Sequence, residues 1–168
     1  MGQKEHKVNS IAKNKKKKKC LERRYLTIDP GRNGGIAVLD NDNVKAYKCP
    51  DTFNGMSELI RKIVNNAYID NYKLVCIMEK VWAFPTDARS FAFKFGMNYG
   101  IWIGILEANN LKYELVTPKK WQSEYDLSKV KKERKNELKT IAKAFYPKAT
   151  LYNSDAICMA VWARSNEK

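Results

Sequence analysis

The chain has 168 residues, of which 44% are apolar and 30% charged, and its formal net charge is +14. This length and apolar content fit one folded domain with its own core. No apolar run is long enough for a membrane span, and no apolar segment near the start resembles a signal peptide. The positive charge favours a polyanionic partner, nucleic acid before an acidic membrane surface, with charge that only confers solubility as the alternative.

Residues 1–23 are predicted to form a disordered, lysine-rich arm. Six of the seven residues from Lys13 to Lys19 are lysines, and the arm contains one apolar pair. Like charges at this density repel one another, and almost nothing is available to bury. The arm suits either contacts with DNA phosphates or a nuclear address in a eukaryotic host. Residues 24–168 are predicted to form a single folded domain.

Three short strands are predicted next, over residues 25–29, 34–39 and 44–48. The first is an apolar run that ends at Asp29, and Pro30 and Gly31 then turn the chain. Gly34 and Gly35 open the second strand without side chains, so that another backbone or a phosphate can approach there. Asp29 is suited to hold a metal against a phosphate, or simply to open a turn.

Helices and strands alternate in the remainder of the chain. A helix is predicted from Met56, with Ser57 as its N-cap, and residues 74–78 form a strand buried on both faces that Glu79 ends. Further elements are predicted over residues 90–110 (helix), 113–116 (strand), 131–146 (basic helix) and 154–162 (helix). This order predicts an α/β fold with a central mixed five-stranded sheet flanked by helices.

The cysteines and the single histidine exclude several kinds of site. No two cysteines have C-x-x-C spacing, and His6 is the only histidine. This argues against a zinc site and excludes catalysis of the Ser-His-Asp or Cys-His kind. Cys76 and Cys158 lie in apolar runs and are predicted to be core thiols in a reducing, intracellular compartment. We expect no small-molecule cofactor.

Three carboxylates carry the functional prediction. Asp29 and Glu79 end strands and Asp155 lies in the first turn of the last helix, so all three can meet at one edge of the sheet. Clustered carboxylates repel one another unless a cation lies among them, and Mg²⁺ prefers such oxygen ligands. Two such ions about 4 Å apart activate water and stabilise the leaving oxygen in phosphodiester hydrolysis.

Three segments resemble motifs of the RuvC-type Holliday junction resolvases, members of the ribonuclease H-like superfamily. Residues 27–38, with the sequence TIDPGRNGGIAV, are similar to the first motif. Residues 77–81 (IMEKV) are similar to the second and residues 154–160 (SDAICMA) to the last. Residues 90–96, 116–121 and 144–147 are similar to the phage-borne branch, which favours a virus or mobile element as the source. The resemblance spans about residues 24–163.

The resemblance implies a ribonuclease H-like fold and a Mg²⁺-dependent nuclease that resolves four-way DNA junctions in recombination and repair as a homodimer. By position, Asp29, Glu79 and Asp155 match three of the family's metal-binding acids; two Mg²⁺ ions are expected, and Mn²⁺ is a possible substitute. The family's fourth ligand, an acid or a histidine, lies a few residues before the last aspartate. Residues 150–154 contain no acid, so Asn153 or water is the candidate.

The resemblance also implies contacts with DNA. Trp82 matches an aromatic residue that bacterial RuvC wedges into the centre of the junction, with core packing as the alternative. A basic residue of the bacterial enzymes aligns near Gln122, and Lys119 or Lys120 is expected to replace it. Further candidate phosphate contacts, with a solvated helix face as the alternative, are Lys131, Lys132, Arg134 and Lys135.

Two other functions stay open at this point. One is a ribonuclease H-like nuclease with another substrate, such as an RNA–DNA hybrid or a replication fork. The other is a catalytically silent DNA-binding module of the same fold. The missing fourth acid supports the silent module, whereas the presence of Asp29, Glu79 and Asp155 opposes it.

Overall fold

The computed structural model describes residues 22–83 and 85–166. Most of the predicted arm, with His6 and Cys20, therefore lies outside the described residues. The first strand begins at Arg23, the last residue assigned to the arm. None of the helices in the described ranges combines the length and the apolar character that a membrane crossing requires.

Five strands form one mixed sheet in the spatial order β3-β2-β1-β4-β5. Their bounds are Arg23–Ile28 (β1), Gly35–Asp40 (β2), Asn43–Lys48 (β3), Lys73–Glu79 (β4) and Tyr113–Val116 (β5). β1, β2 and β3 form an antiparallel meander, and β4 and β5 continue the sheet parallel to β1. The predicted α/β fold with a central mixed five-stranded sheet is confirmed.

The described residues contain five helices beside the sheet: Phe53–Ile69 (α1), Arg89–Ala108 (α2), Pro118–Gln122 (α3), Lys131–Phe145 (α4) and Ser154–Ser165 (α5). The prediction that Ser57 caps α1 is wrong. The cap is Thr52, whose hydroxyl oxygen accepts a hydrogen bond from the Gly55 N–H at 3.1 Å. The short helix α3 was not predicted, although Thr117 caps it and Pro118 occupies its first position, where proline is favoured.

The side chains of β1 alternate between two apolar layers. Leu26 and Ile28 pack with α1 and α2 on one face of the sheet, and Tyr25 packs on the other. On that second face α5 lies directly against β1 and β2, and α4 packs on α5. The predicted core thiols Cys76 and Cys158 are buried in these two layers, which confirms that prediction.

Gly35 allows the N-terminus of α5 to reach the sheet. A Cβ atom at this position would lie 2.7 Å from the carbonyl oxygen of Tyr152 and 2.8 Å from the Cα atom of Asn153. Atoms at these distances overlap, so only glycine fits. The close backbone approach predicted at Gly35 is therefore confirmed, and it brings the start of α5 to the end of β1.

Candidate metal centre

Asp29 and Glu79 meet because β1 and β4 run parallel and in register. Ile28 is the register partner of Met78. The residues that follow them, Asp29 and Glu79, therefore leave adjacent strands at the same level, where neighbouring strands are about 4.8 Å apart. The two acids also share one face of the sheet, because residues at the same level of neighbouring strands point to the same side.

That face is the one covered by α5, which brings the third acid. Thr27, two residues before Asp29, donates its hydroxyl hydrogen bond to the carbonyl oxygen of Ala156 at 2.6 Å. Asp155 precedes Ala156 in the first turn of α5 and retains 5% of its exposure. The helix N-terminus there favours a negatively charged side chain. The three acids predicted from the sequence thus lie at one end of the sheet.

The turn after β1 holds the Asp29 carboxylate in place. Its Oδ1 atom accepts a hydrogen bond from the Gly31 N–H at 3.3 Å. A Cβ atom on Gly34 would lie 2.3 Å from the carbonyl oxygen of Asp29 and 2.7 Å from its Cγ atom. From α2, the Asn98 amide donates a hydrogen bond to the carbonyl oxygen of Pro30. The strand, the turn and the helix α2 together determine where Asp29 points.

Trp121 on α3 holds the Glu79 carboxylate. Its indole Nε1–H donates a hydrogen bond to the Oε1 atom of Glu79 at 2.9 Å, and Trp121 has no exposed surface. Sequence reasoning did not assign a functional role to Trp121. The indole N–H of a buried tryptophan usually donates to a hydrogen-bond acceptor. This preference was the signal in the sequence that Trp121 could contact a polar group. Because this hydrogen bond engages Oε1, the other carboxylate oxygen, Oε2, is suited to bind a cation.

Lys135 on α4 reaches the acids, although 36% of its side chain is exposed. Its ammonium nitrogen Nζ lies 2.6 Å from the Oδ2 atom of Asp155. Lys135 stays a candidate phosphate contact, and this ion pair contradicts the alternative of a helix face that is only solvated. Lys135 precedes the buried residues Leu138 and Ala142 by three and seven positions, so helical periodicity places it on the inner face of α4. That spacing was the signal in the sequence.

Burial and mutual repulsion raise the pKa values of two of the acids. Burial, then the charge of Asp29, raises the pKa of Glu79 to about 8 against the opposing effect of the Trp121 hydrogen bond. Burial, then the charge of Asp155, raises the pKa of Asp29 to about 6. For Lys135, burial lowers the pKa, but the carboxylate of Asp155 and those of the other two acids outweigh it, so the net pKa is raised.

The donor set fits a hard divalent cation held by few protein ligands. In residues 22–83 and 85–166, no three Asp, Glu, Cys or His side chains form a ready ligand set for one ion. Asp29 and Glu79 nevertheless offer two carboxylates at the same level of the sheet, in a site whose burial disfavours uncompensated negative charge. Mg²⁺ is commonly bound by one or two carboxylates, with waters and substrate phosphates as its other ligands.

Asn153, the candidate fourth ligand, directs its oxygen elsewhere. The Oδ1 atom accepts hydrogen bonds from the backbone N–H and the hydroxyl of Thr150, at 2.8 and 3.2 Å. Asn153 is buried, with 5% of its surface exposed. Both lone pairs of this oxygen are therefore used within the loop before α5.

Several of the predicted DNA contacts lie at the surface. Trp82 follows β4 and is 51% exposed, which excludes the core-packing alternative. Lys120 forms an ion pair with Glu114 at 3.0 Å. The other exposed basic candidates are Lys119, Lys131 and Lys132, whereas Arg134 is partly buried. Their contact with DNA stays a prediction.

No family model and no curated protein matches this chain. The chain is similar to two solved structures of RuvC from Thermus thermophilus. One is RuvC in complex with a Holliday junction substrate, with a TM-score of 0.55 and 13% sequence identity over 86% of this chain and 96% of that chain. The other is RuvC alone, with a TM-score of 0.51 and 14% identity over 84% and 93%. The likeness shows a RuvC-like, ribonuclease H-like fold, and it does not extend to the phage-borne branch.

Proposed function

We propose that this chain is a divalent-metal-dependent endonuclease that cleaves branched DNA, with the four-way junction as its substrate. The observation that carries the proposal is the meeting of Asp29, Glu79 and Asp155 at one end of the sheet. These acids lie in a ribonuclease H-like fold, and the similar structure with a junction bound is a RuvC protein. Asp29, Glu79 and Asp155 are the proposed catalytic set.

Each residue of the site has a role that follows from its contacts. Mg²⁺, when bound, would polarise the scissile phosphate and make a water molecule more acidic. Asp29 and the Oε2 atom of Glu79 would hold the cation, while Trp121 keeps Glu79 in one orientation. Asp155, paired with Lys135, would place the ammonium beside the phosphate. Mn²⁺ is expected to replace Mg²⁺, because it accepts the same oxygen ligands.

DNA would be recognised by shape and by phosphates. The exposed lysines of α3 and α4 would supply positive charge on helices that pack against α5, and Trp82 offers an exposed ring on which a base can stack. We propose that selectivity comes from the geometry of the junction rather than from base edges in the major groove.

A second copy of the chain is proposed to pack on α2. Phe93 is 73% exposed and Met97 is 45% exposed on this helix. Among the described residues, no atom outside the helix's own neighbouring turns lies within 4 Å of a Cβ placed on Gly96, Gly100 or Gly104. Helices pack closely through such smooth apolar surfaces. A two-fold dimer would present two sites to opposite strands of one junction.

A phage or viral source also stays part of the proposal, because residues 90–96 and 116–121 are similar to the phage-borne branch.

Cleavage of a synthetic four-way junction in Mg²⁺ tests the function, with Asp29→Asn as the variant. The change keeps the shape of the side chain and removes one ligand charge. We expect symmetric nicking by the unmodified protein and at least a hundredfold loss in the variant, with junction binding retained. The matched control is Asp42→Asn, whose carboxylate lies in the β2–β3 turn at the other end of the sheet.

The alternatives predict other results in the same assay. Preferred cleavage of an RNA–DNA hybrid or a fork over the junction would favour a ribonuclease H-like nuclease of different specificity. Tight junction binding without cleavage, in Mg²⁺ and in Mn²⁺, would contradict the enzyme and leave a DNA-binding module.

A further inference from the structure

We propose that the ammonium group of Lys135 takes the place of a second metal ion, so that this site works with a single divalent cation. The inference rests on the proposed nuclease function and specifies how its metal centre is built. It departs from the expectation of two Mg²⁺ ions because the side-chain oxygens around Asp155 already have ion-pair or hydrogen-bond partners.

The first step is the position of the ammonium group. Lys135 Nζ lies 2.6 Å from Asp155 Oδ2, and the Asp155 side chain is only 7% exposed. Asp29 and Glu79 also act electrostatically on this ammonium. Lys135 therefore supplies a cation to the acids, with 36% of its side chain still exposed, and it reaches them from α4, which packs on α5.

The second step is that, among the described residues, the side-chain oxygens of Asp155 and of its neighbour Asn153 already have polar partners. Its Oδ2 atom is paired with Lys135, and its Oδ1 atom accepts a hydrogen bond from the Ser154 hydroxyl at 3.2 Å. Asn153 uses its oxygen on Thr150 at 2.8 and 3.2 Å. Residues 150–154 contain no carboxylate that could complete a second site.

The third step is charge balance. Three ionised carboxylates are neutralised by one divalent cation together with one ammonium group. A second divalent cation would give the buried cluster a net positive charge next to an existing ammonium group, and like charges at this range repel strongly in a poorly solvated site. The remaining N–H groups of Lys135 can donate hydrogen bonds to a phosphate oxygen, which gives the second positive charge that phosphodiester cleavage uses.

Counting Mn²⁺ ions on the full chain tests the inference without relying on activity. Isothermal titration and the electron paramagnetic resonance signal of free Mn²⁺ give the number bound per chain. We expect one ion for the unmodified protein and two for Lys135→Glu. A glutamate carboxylate oxygen reaches about the position of the lysine Cε atom, so it can supply the missing ligand. The matched control is Lys132→Glu, an exposed position on the same helix with the same change of charge, for which we expect one ion.

A second variant guards against misfolding of Lys135→Glu. Lys135→Met keeps most of the side-chain length and removes the charge. The single Mn²⁺ ion should then bind at least threefold more tightly, because a nearby positive charge is lost. Lys132→Met should leave the affinity unchanged. An unchanged affinity in Lys135→Met would overturn the role of Lys135 as the neighbouring cation.

The remaining outcomes separate this inference from the proposed function. Two ions on an unmodified protein that cleaves junctions would overturn the single-ion site and leave the nuclease intact. One ion on Lys135→Glu would overturn the replacement of a metal by Lys135. No ion on the unmodified protein, together with no cleavage, would overturn the nuclease itself.

Discussion

Among single residues, Gly34 constrains the Asp29 carboxylate most directly. Its missing side chain leaves the space in which the carbonyl oxygen and the Cγ atom of Asp29 lie, at 2.3 and 2.7 Å from the Cβ position. Gly34→Ala should therefore displace Asp29. We expect a loss of about 1–3 kcal/mol in the free energy of unfolding and more than a tenfold loss of junction cleavage. Urea unfolding and the cleavage assay measure both effects.

Gly31→Ala is the matched control in the same turn. The nearest atom to a Cβ there, Oδ1 of Asp29, is 3.6 Å away, an ordinary van der Waals distance. Its backbone N–H, which donates to Asp29, is kept. Cleavage within a factor of about three of the unmodified protein is expected. Equal losses in the two variants would show that the turn tolerates neither change, and would refute the specific role of Gly34.

Sequence reasoning identified the acids but not all the residues around them. Asp29 and Glu79 were recognisable because each ends a short apolar run, and parallel strands bring such ends together. Trp121 was given no functional role, and Lys135 was given only a phosphate contact, because their roles depend on tertiary contacts. The indole donates to Glu79, and the ammonium pairs with Asp155. From the sequence, Asn153 was a candidate metal ligand. In the structure its side-chain oxygen accepts a hydrogen bond from the Thr150 backbone N–H instead.

At the scale of elements, short apolar runs were sufficient to predict the strands, whose bounds differ from the prediction by two residues or fewer. Helix ends were harder to predict. α1 begins at Phe53 because Thr52 caps it, upstream of the apolar periodicity that starts at Met56. α3 spans five residues, which is too short for a periodic pattern of apolar residues. The Thr117-Pro118 cap was therefore the signal in the sequence that indicated this helix.

The exposed face of α2 leads to a prediction about assembly. Gly100→Leu should convert the proposed dimer to a monomer, because the new side chain fills the open surface that a second helix would occupy. Leucine also has a higher helix propensity than glycine, by about 1 kcal/mol, so the helix itself should not weaken. Size-exclusion chromatography with light scattering measures the change in mass.

Lys62→Leu on α1 is the control for this experiment, since it adds the same side chain at an exposed position of another helix. Its mass should equal that of the unmodified protein. A monomeric unmodified protein, or a dimer that survives Gly100→Leu, would contradict packing through α2. Junction cleavage by a monomeric variant should be reduced more than junction binding, because only one site would then reach the DNA.

At the scale of the whole molecule, the buried acids link stability to pH. The folded-state pKa of Glu79 is raised from its ordinary value of 4.5 to about 8. The metal-free folded state therefore holds a proton that the unfolded state releases. The contribution of Glu79 to stability is fully present below pH 4.5 and is lost as the pH rises to about 8. The raised pKa of Asp29 acts in the same direction, up to pH about 6.

The metal-free protein should thus unfold more easily at pH 8 than at pH 5.5, with a slope of up to about 1.4 kcal/mol per pH unit for each proton involved. Mg²⁺ binds the ionised carboxylates, so its stabilising effect should grow over the same range. Thermal unfolding in a chelator and in Mg²⁺ measures both trends. The glutamine of Glu79→Gln cannot release a proton. This variant should therefore show a smaller pH dependence of the unfolding temperature above pH 6 in the absence of metal. If Glu79→Gln shows the same slope as the unmodified protein, the pH dependence of stability does not arise from Glu79. That result would contradict the inference that burial of the ionised Glu79 carboxylate destabilises the metal-free protein.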